Sequence, residues 1–348
     1  MQPQTGLPFD DIRALTLRLP EPDTDARARA ALRNANLLKP AGSLGRLEEI
    51  ALFLAGWQGK EKPLITRPIV ALFAANHGVH AQGVSRWPMQ VTQTMVDTFM
   101  QGGAAINQIC ADSGLGLKVF DLALEHPTDD FTQGPAMDEK GCAATIAFGM
   151  EAIAGGVDLV CIGEMGIANT TSASALYAAL FGGDPADWIG DGAGSDDAQR
   201  DRKVAAIKAG LALHGDGLGD PLEVLRRLGG REIAAMAGTI IACRMERVPV
   251  LVDGFVASAA AAVLHALEPR LLDHCLFAHV SAEKAHRAVL ARLGQVALLD
   301  LGMRLGEGTG AALAASLIKS AAATHSGMAT FADVGLPEID ALPDGAPT

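Results

Sequence analysis

The sequence predicts an α/β protein built on a parallel β-sheet with helices on both faces. Three observations carry this. Short apolar runs rich in Val, Leu and Ile recur from residue 68 onward, mostly without the alternation of a half-exposed strand. Each is followed by a glycine-bearing turn and a helical stretch able to serve as a crossover. The chain has 348 residues, 49% of them hydrophobic and 20% charged, so it can bury a sizeable core.

Taken in order, Asp23–Ala35 and Leu47–Trp57 read as helices around the loop Lys39-Pro40-Ala41-Gly42-Ser43-Leu44-Gly45, with Ser43 a candidate cap. The expected strands are Ile69–Ala75, Leu117–Leu122, Val157–Ile162, Val248–Val252, Leu276–Val280 and Val296–Leu301. The connection from Thr170 to Arg247 exceeds one crossover. It holds a Gly- and Asp-dense loop, Gly182–Asp201, then helices at Asp201–His214 and Pro221–Leu228. Helical character returns after Gly310 and fades by His325. The tail, Gly335–Thr348, carries three prolines and reads as an irregular extension.

Composition excludes several classes. Lys plus Arg number 28 against 40 Asp plus Glu, a net charge of −12, so a phosphate-backbone partner is not expected. Aromatic residues, at 4%, give no base-stacking platform. The five cysteines are scattered, without CxxC or Cys/His ligand spacing, and read as buried thiols. Met1–Asp11 lacks signal-peptide features, and the longest apolar stretches, such as Val256–Leu264, are too short to span a bilayer. A soluble, cytoplasmic protein is expected.

Ligands of open parallel sheets bind beyond the carboxyl ends of the strands. After Val157–Ile162 comes Gly163-Glu164-Met165-Gly166-Ile167-Ala168-Asn169-Thr170-Thr171-Ser172, opening an Ala-rich helix. Its glycines permit a tight turn, and its first free N–H groups suit either an anion, as a phosphate cradle with Glu164 beside it, or an ordinary capped turn. After Val296–Leu301 comes Gly302-Met303-Arg304-Leu305-Gly306-Glu307-Gly308-Thr309-Gly310-Ala311. Here Glu307 either projects into a cleft or satisfies a helix N-terminus. Gly306–Ala311 also fits the looser dinucleotide pattern GxGxxA, which requires a βαβ unit. There is no GxxxxGK[ST] loop and no G-x-S-x-G elbow.

Other segments are ambiguous alone. His77 is a proton carrier or a structural group, and with His80 it lacks a third metal ligand. Ser85–Thr92 mixes apolar and amide groups that suit either a flat heteroaromatic ligand or a surface turn. Asp253 is a cap or a ligand contact. Lys203, beside Arg202 at a helix start, gains meaning only near the phosphate cradle. Ser281 ends a strand and can donate to phosphate. Two glutamates in glycine loops, a cradle and amide-lined apolar walls suit a carboxylate base acting on a held phosphorylated substrate.

These segments together resemble the nicotinate-nucleotide–dimethylbenzimidazole phosphoribosyltransferase family of cobalamin assembly. The resemblance spans Leu38–Leu47 to the helix after Gly310 and is most specific at Gly163–Thr171, Gly102-Gly103-Ala104-Ala105-Ile106-Asn107 and Leu305–Ala311. It implies transfer of the phosphoribosyl group of nicotinate mononucleotide to 5,6-dimethylbenzimidazole, giving α-ribazole 5′-phosphate and nicotinate with inversion. It implies a Rossmann-like large domain, residues 63–311, and a small helical domain from residues 1–62 and 312–348. It implies a homodimer, with no cofactor and no metal. By position Glu307 matches the catalytic base and Glu164 the second carboxylate. Gly166, Asn169, Thr170, Lys203, Ser281 and Gly306 match nucleotide and phosphate positions. Ser85, Met89, Gln90 and Leu305 match the base-binding wall.

The chain departs from the family pattern at four places. Ala168 stands where Gly is expected and Asn76 where Asp is expected. Met89 follows Pro88 where Gln is common, with Gln90 next. Asp191 takes the place of an Arg in the loop Gly190–Ser195. Two other readings remain at this point: a nicotinamide-dinucleotide oxidoreductase, resting on GxGxxA, and a non-catalytic relative that binds a nucleotide or azole.

Overall fold

The computed structural model describes residues 8–190, 192, 194 and 196–337, so Asp191 and the tail beyond residue 337 lie outside the described residues. Five strands, β1 (Pro68–Ala74), β2 (Gly116–Asp121), β3 (Leu159–Met165), β4 (Val250–Val252) and β5 (Cys275–Phe277), form one sheet in the order β2-β1-β3-β4-β5. Every pairing is parallel. The strand order reverses between β1 and β3, and open sheets of this kind place ligands in the crevice at that point.

Helices α1 (Pro8–Thr16), α2 (Thr24–Ala35) and α3 (Arg46–Gln58) precede the sheet. α4 (Gln90–Met100) and α5 (Ala105–Ser113) join β1 to β2, and α6 (Glu139–Met150) joins β2 to β3. Five helices fill the long connection to β4: α7 (Asn169–Phe181), α8 (Pro185–Trp188), α9 (Asp197–His214), α10 (Pro221–Leu228) and α11 (Arg231–Met245). α12 (Phe255–Leu267) joins β4 to β5, and α13 (His286–Arg292) and α14 (Thr309–Gly327) follow.

Successive strand side chains point to opposite faces, so apolar residues at every position give two cores. Ile69, Ala71 and Phe73 of β1 face α11 on one side and share one core with buried residues of α6, α7 and α12. Val70 and Leu72 meet Ile50 and Leu54 of α3, Ile106 of α5 and the Ala-rich side of α14 on the other. Phe9 and Ile12 of α1 belong to the first core, against α6. α2 packs on α3, and α3 on α14. Arg33 of α2 grips the far end of α14, donating to the carbonyls of His325 (3.1 Å), Ser326 (3.2 Å) and Met328 (2.8 Å).

Four expectations need correction. β3 runs on to Met165, with Glu164 in register opposite Phe73 of β1, so Glu164 is a strand residue rather than part of the turn. Val296–Leu301 is no strand. It touches the sheet edge through one bridge, His279 to Leu299, while Val296 and Leu301 stay 77% and 59% exposed. Ala297, Leu298 and Leu299 turn inward, but the single bridge does not extend the ladder. α9 begins at Asp197, capped by a reciprocal Asp196/Gln199 pair, so Lys203 lies in its second turn. Ser43 does not cap α3. Gly45 holds that position, and Glu48 folds back to accept the Leu44 N–H (2.9 Å) and bind Lys39 (2.9 Å) and Asn34 (2.6 Å).

All five cysteines are buried free thiols. Among the described residues no helix is long and apolar enough to cross a membrane, and no group of three or more His, Cys, Asp or Glu side chains is arranged to hold a metal ion.

Candidate active site

The carboxyl end of β3 is built around close backbone approach. A Cβ at Gly163 would lie 2.6 Å from the Gly308 nitrogen and 2.8 Å from the Glu307 carbonyl carbon. The missing side chain therefore lets the loop before α14 lie directly on the strand. That loop is left-handed through Gly306 (φ +81°), Glu307 (φ +61°) and Gly308 (φ +77°). Glu307 carries a real cost there, of about 1–2 kcal/mol for a residue with a Cβ, so its placement is held by surrounding contacts. A Cβ at Gly306 would collide with Glu164 Oε1.

A cavity of about 520 Å³ opens over this junction. Glu164, Gly166, Asn169 and Thr170 form one wall, Leu305 and Gly306 another, and His279 and Ser281 a third. A narrow extension of about 40 Å³ runs between Ser85 and Arg86, the start of α7, and Lys203. Lys203 is 3% exposed and donates to the Gly190 carbonyl at 3.4 Å. Ser281 accepts the Glu283 N–H at 3.2 Å. Glu307 stands one residue behind the wall, 5% exposed, with Oε2 free of hydrogen bonds. Met89 and Gln90 begin α4 and line neither space.

The carboxylates here are held well above their ordinary range. Burial pushes Glu164 up to about 8; the charges of Glu232 and Asp253 add to this, and the hydrogen bond from Asn169 Nδ2 opposes it. Burial likewise raises Glu307 to about 7. Asp253 rises to about 7 through burial, opposed by backbone N–H donors. Values raised toward neutrality are the condition under which a carboxylate both accepts and returns a proton near pH 7.

The ambiguous residues now have places. His77 Nδ1 meets Ser172 Oγ at 2.9 Å and its Nε2 meets Glu232 Oε1 at 2.6 Å, all three fully buried or nearly so. His77 braces the α7 turn. Asn76 Nδ2 bonds the Leu124 carbonyl at 3.0 Å. Asp253 does not cap α12, which it precedes; it receives N–H groups of Gly308 (3.2 Å) and Ala311 (2.8 Å) at the start of α14. Ala168 has φ +77°, a conformation in which the Gly expected at this position would be unstrained. Gly306–Ala311 opens α14 but follows no strand, so the GxGxxA match lacks its βαβ unit.

Sequence reasoning missed Arg86, Glu232 and Glu283. Glu232 had one signal: a lone carboxylate entering an otherwise apolar helix, Ile233–Thr239. Arg86 and Glu283 reach the cavity through loop packing, with no local mark.

Comparison with known proteins agrees with this architecture. A phosphoribosyltransferase family model matches residues 19–336. A nicotinate-nucleotide–dimethylbenzimidazole phosphoribosyltransferase of Brucella anthropi is 63% identical over 332 residues, covering 95% of this chain and 98% of that protein. The protein of the same name from Brucella canis shows the same identity and coverage. A crystal structure of CobT from Thermus thermophilus superposes with a TM-score of 0.84 at 40% identity, covering 90% of this chain and 99% of its own.

Proposed function

The chain belongs to this phosphoribosyltransferase family, and from that premise we propose that it transfers the phosphoribosyl group of nicotinate mononucleotide to 5,6-dimethylbenzimidazole in cobalamin synthesis. The observation that carries the mechanism is Glu307, a buried carboxylate with an unbonded oxygen beside the cavity and poised near neutrality.

In this reading Glu307 accepts the proton of the benzimidazole N–H while the other ring nitrogen forms a bond to C1′. The bond from C1′ to nicotinate breaks, and its electron pair leaves with the pyridine nitrogen, neutralising the ring cation. The departing group therefore needs no proton. Attack and departure on opposite faces invert the anomeric carbon. Glu164, oriented by Asn169, presents the second carboxyl group to the ribosyl centre. The start of α7, Thr170 and Lys203 hold the phosphate, with Ser281 and the Gly166 and Gly306 backbones against the nucleotide. Ser85 and Leu305 belong to the base wall; Met89 and Gln90, set back on α4, act on it indirectly.

The same reading divides the chain into a large domain, residues 63–311, and a small helical one, residues 1–62 with 312–348. The mutual packing of α2, α3 and α14 supports this, while α3 and α14 also form the second core against the sheet and α1 packs with the first. A homodimer working in the cytoplasm completes the proposal. The test is incubation of the purified protein with both substrates and identification of products by mass and anomeric configuration. The α-riboside phosphate with free nicotinate is expected; nucleotide binding without product overturns the transferase reading in favour of a non-catalytic one.

A further inference from the structure

We propose that Asp253 is the positioning residue for Glu307, a clamp that holds the first turn of α14 and through it the carboxylate beside the cavity. The proposal rests on the assignment of Glu307 as the base.

Three observations support it. Asp253 follows β4 and is 1% exposed, yet leaves its own helix, α12, without a side-chain cap. Its two carboxylate oxygens instead reach across 55 and 58 residues. Oδ2 accepts the Gly308 N–H at 3.2 Å and Oδ1 the Ala311 N–H at 2.8 Å. These N–H groups belong to residues flanking the first turn of α14, whose own N-cap position, Gly308, has no side chain to offer. A buried negative charge at a helix N-terminus is favourable, and satisfying two orphan donors ties the turn to the sheet.

Second, the clamped turn follows directly on Glu307, whose left-handed backbone is not self-sustaining. The strand lies against it at Gly163, and a Cβ at Gly308 would lie 2.9 Å from Val70 Cγ1. Asp253 is the hydrogen-bonded side of that seat. Third, His279 closes the opposite side. Its Nε2 stands 3.6 Å from Asp253 Oδ1, and its ring occupies the notch left by Gly254 and Gly310. Asp253 itself does not line the cavity, so it acts through Glu307 rather than on substrate.

The test compares D253A, D253N and E307Q with the double variant D253A/E307Q, measuring kcat, KM for both substrates and nucleotide affinity. D253A is expected to lower kcat at least tenfold while nucleotide affinity stays within about threefold. D253N keeps one acceptor and should fall between D253A and the unaltered protein. In the E307Q background the D253A loss should shrink to under threefold, because residues acting as one unit are not additive. A full tenfold loss persisting there, or a D253A kcat equal to that of the unaltered protein beside an inactive E307Q, overturns the clamp. If D253A fails to fold, D253N and its double variant carry the same comparison. Near-normal turnover of E307Q overturns the base assignment itself and the clamp with it.

Discussion

His77 and Glu232 lie 155 residues apart in sequence and 2.6 Å apart in the fold, both fully buried beneath the turn that leads from Glu164 into α7. Neither lines the cavity, so the role of the pair is mechanical. Removing one partner of a buried ionic or charge-assisted pair leaves the other unsatisfied, at about 3–5 kcal/mol. H77A is therefore expected to lose stability on that scale in urea unfolding at neutral pH. A loss below about 1 kcal/mol would remove the brace from the account.

Stability should also depend on pH through Glu164. Its ordinary value is 4.5 and its folded value is pushed up to about 8 by burial. The folded state thus holds a proton that the unfolded state releases, and stability falls as pH rises between those two values. E164Q cannot make that exchange. From pH 5 to pH 8 the unaltered protein should lose melting temperature more steeply than E164Q. Parallel curves would contradict a raised Glu164.

Turnover should run the other way. A base must be deprotonated, and Glu307 is raised to about 7. kcat/KM should climb about tenfold per pH step below 7 and flatten above it. A profile flat from pH 5.5 to 8 would argue that another group takes the proton.

Ala168 sits at φ +77°. Replacing it with Gly relieves a left-handed strain of about 1–2 kcal/mol, offset by about 0.4–1 kcal/mol of added freedom in the unfolded chain. A168G is expected to be more stable by about 0.5–1 kcal/mol in thermal unfolding; a destabilised A168G would mean the Cβ packs usefully.

Lys203 lines the narrow extension beside α7. If phosphate sits there, K203A loses a charge-assisted contact of about 1.5–3 kcal/mol. KM for the nucleotide should then rise more than tenfold with kcat little changed. An unchanged KM would place the phosphate elsewhere.

The central strands were legible because Ile69–Phe73 and Leu159–Ile162 are apolar at every position, which only burial on both faces permits. Val296–Leu301 is apolar but for Asp300 and failed as a strand, since it meets the sheet edge through a single bridge while its ends stay in solvent. Gly163 was read as a turn signal, whereas it is a strand residue left bare for Gly308 to approach. Asp253 was recognisable as a cap, but not as the cap of α14, because that pairing exists only once β4 and α14 have met. Both glutamates were visible from their glycine neighbours. Arg86 was not, since nothing within a few residues distinguishes it from a surface charge, and Glu232 carried only the weaker mark of a carboxylate leading into an apolar helix.

α14 also works as a beam. Nineteen residues of uninterrupted helix, about 28 Å at 1.5 Å per residue, separate Glu307 at one end from the carbonyls gripped by Arg33 at the other. The amino-terminal helices thus hold the handle of a lever whose tip is the proposed base. A shift imposed at the grip would be carried along the helix toward the cavity, so fusions or truncations near Met328 are expected to alter aim as well as length.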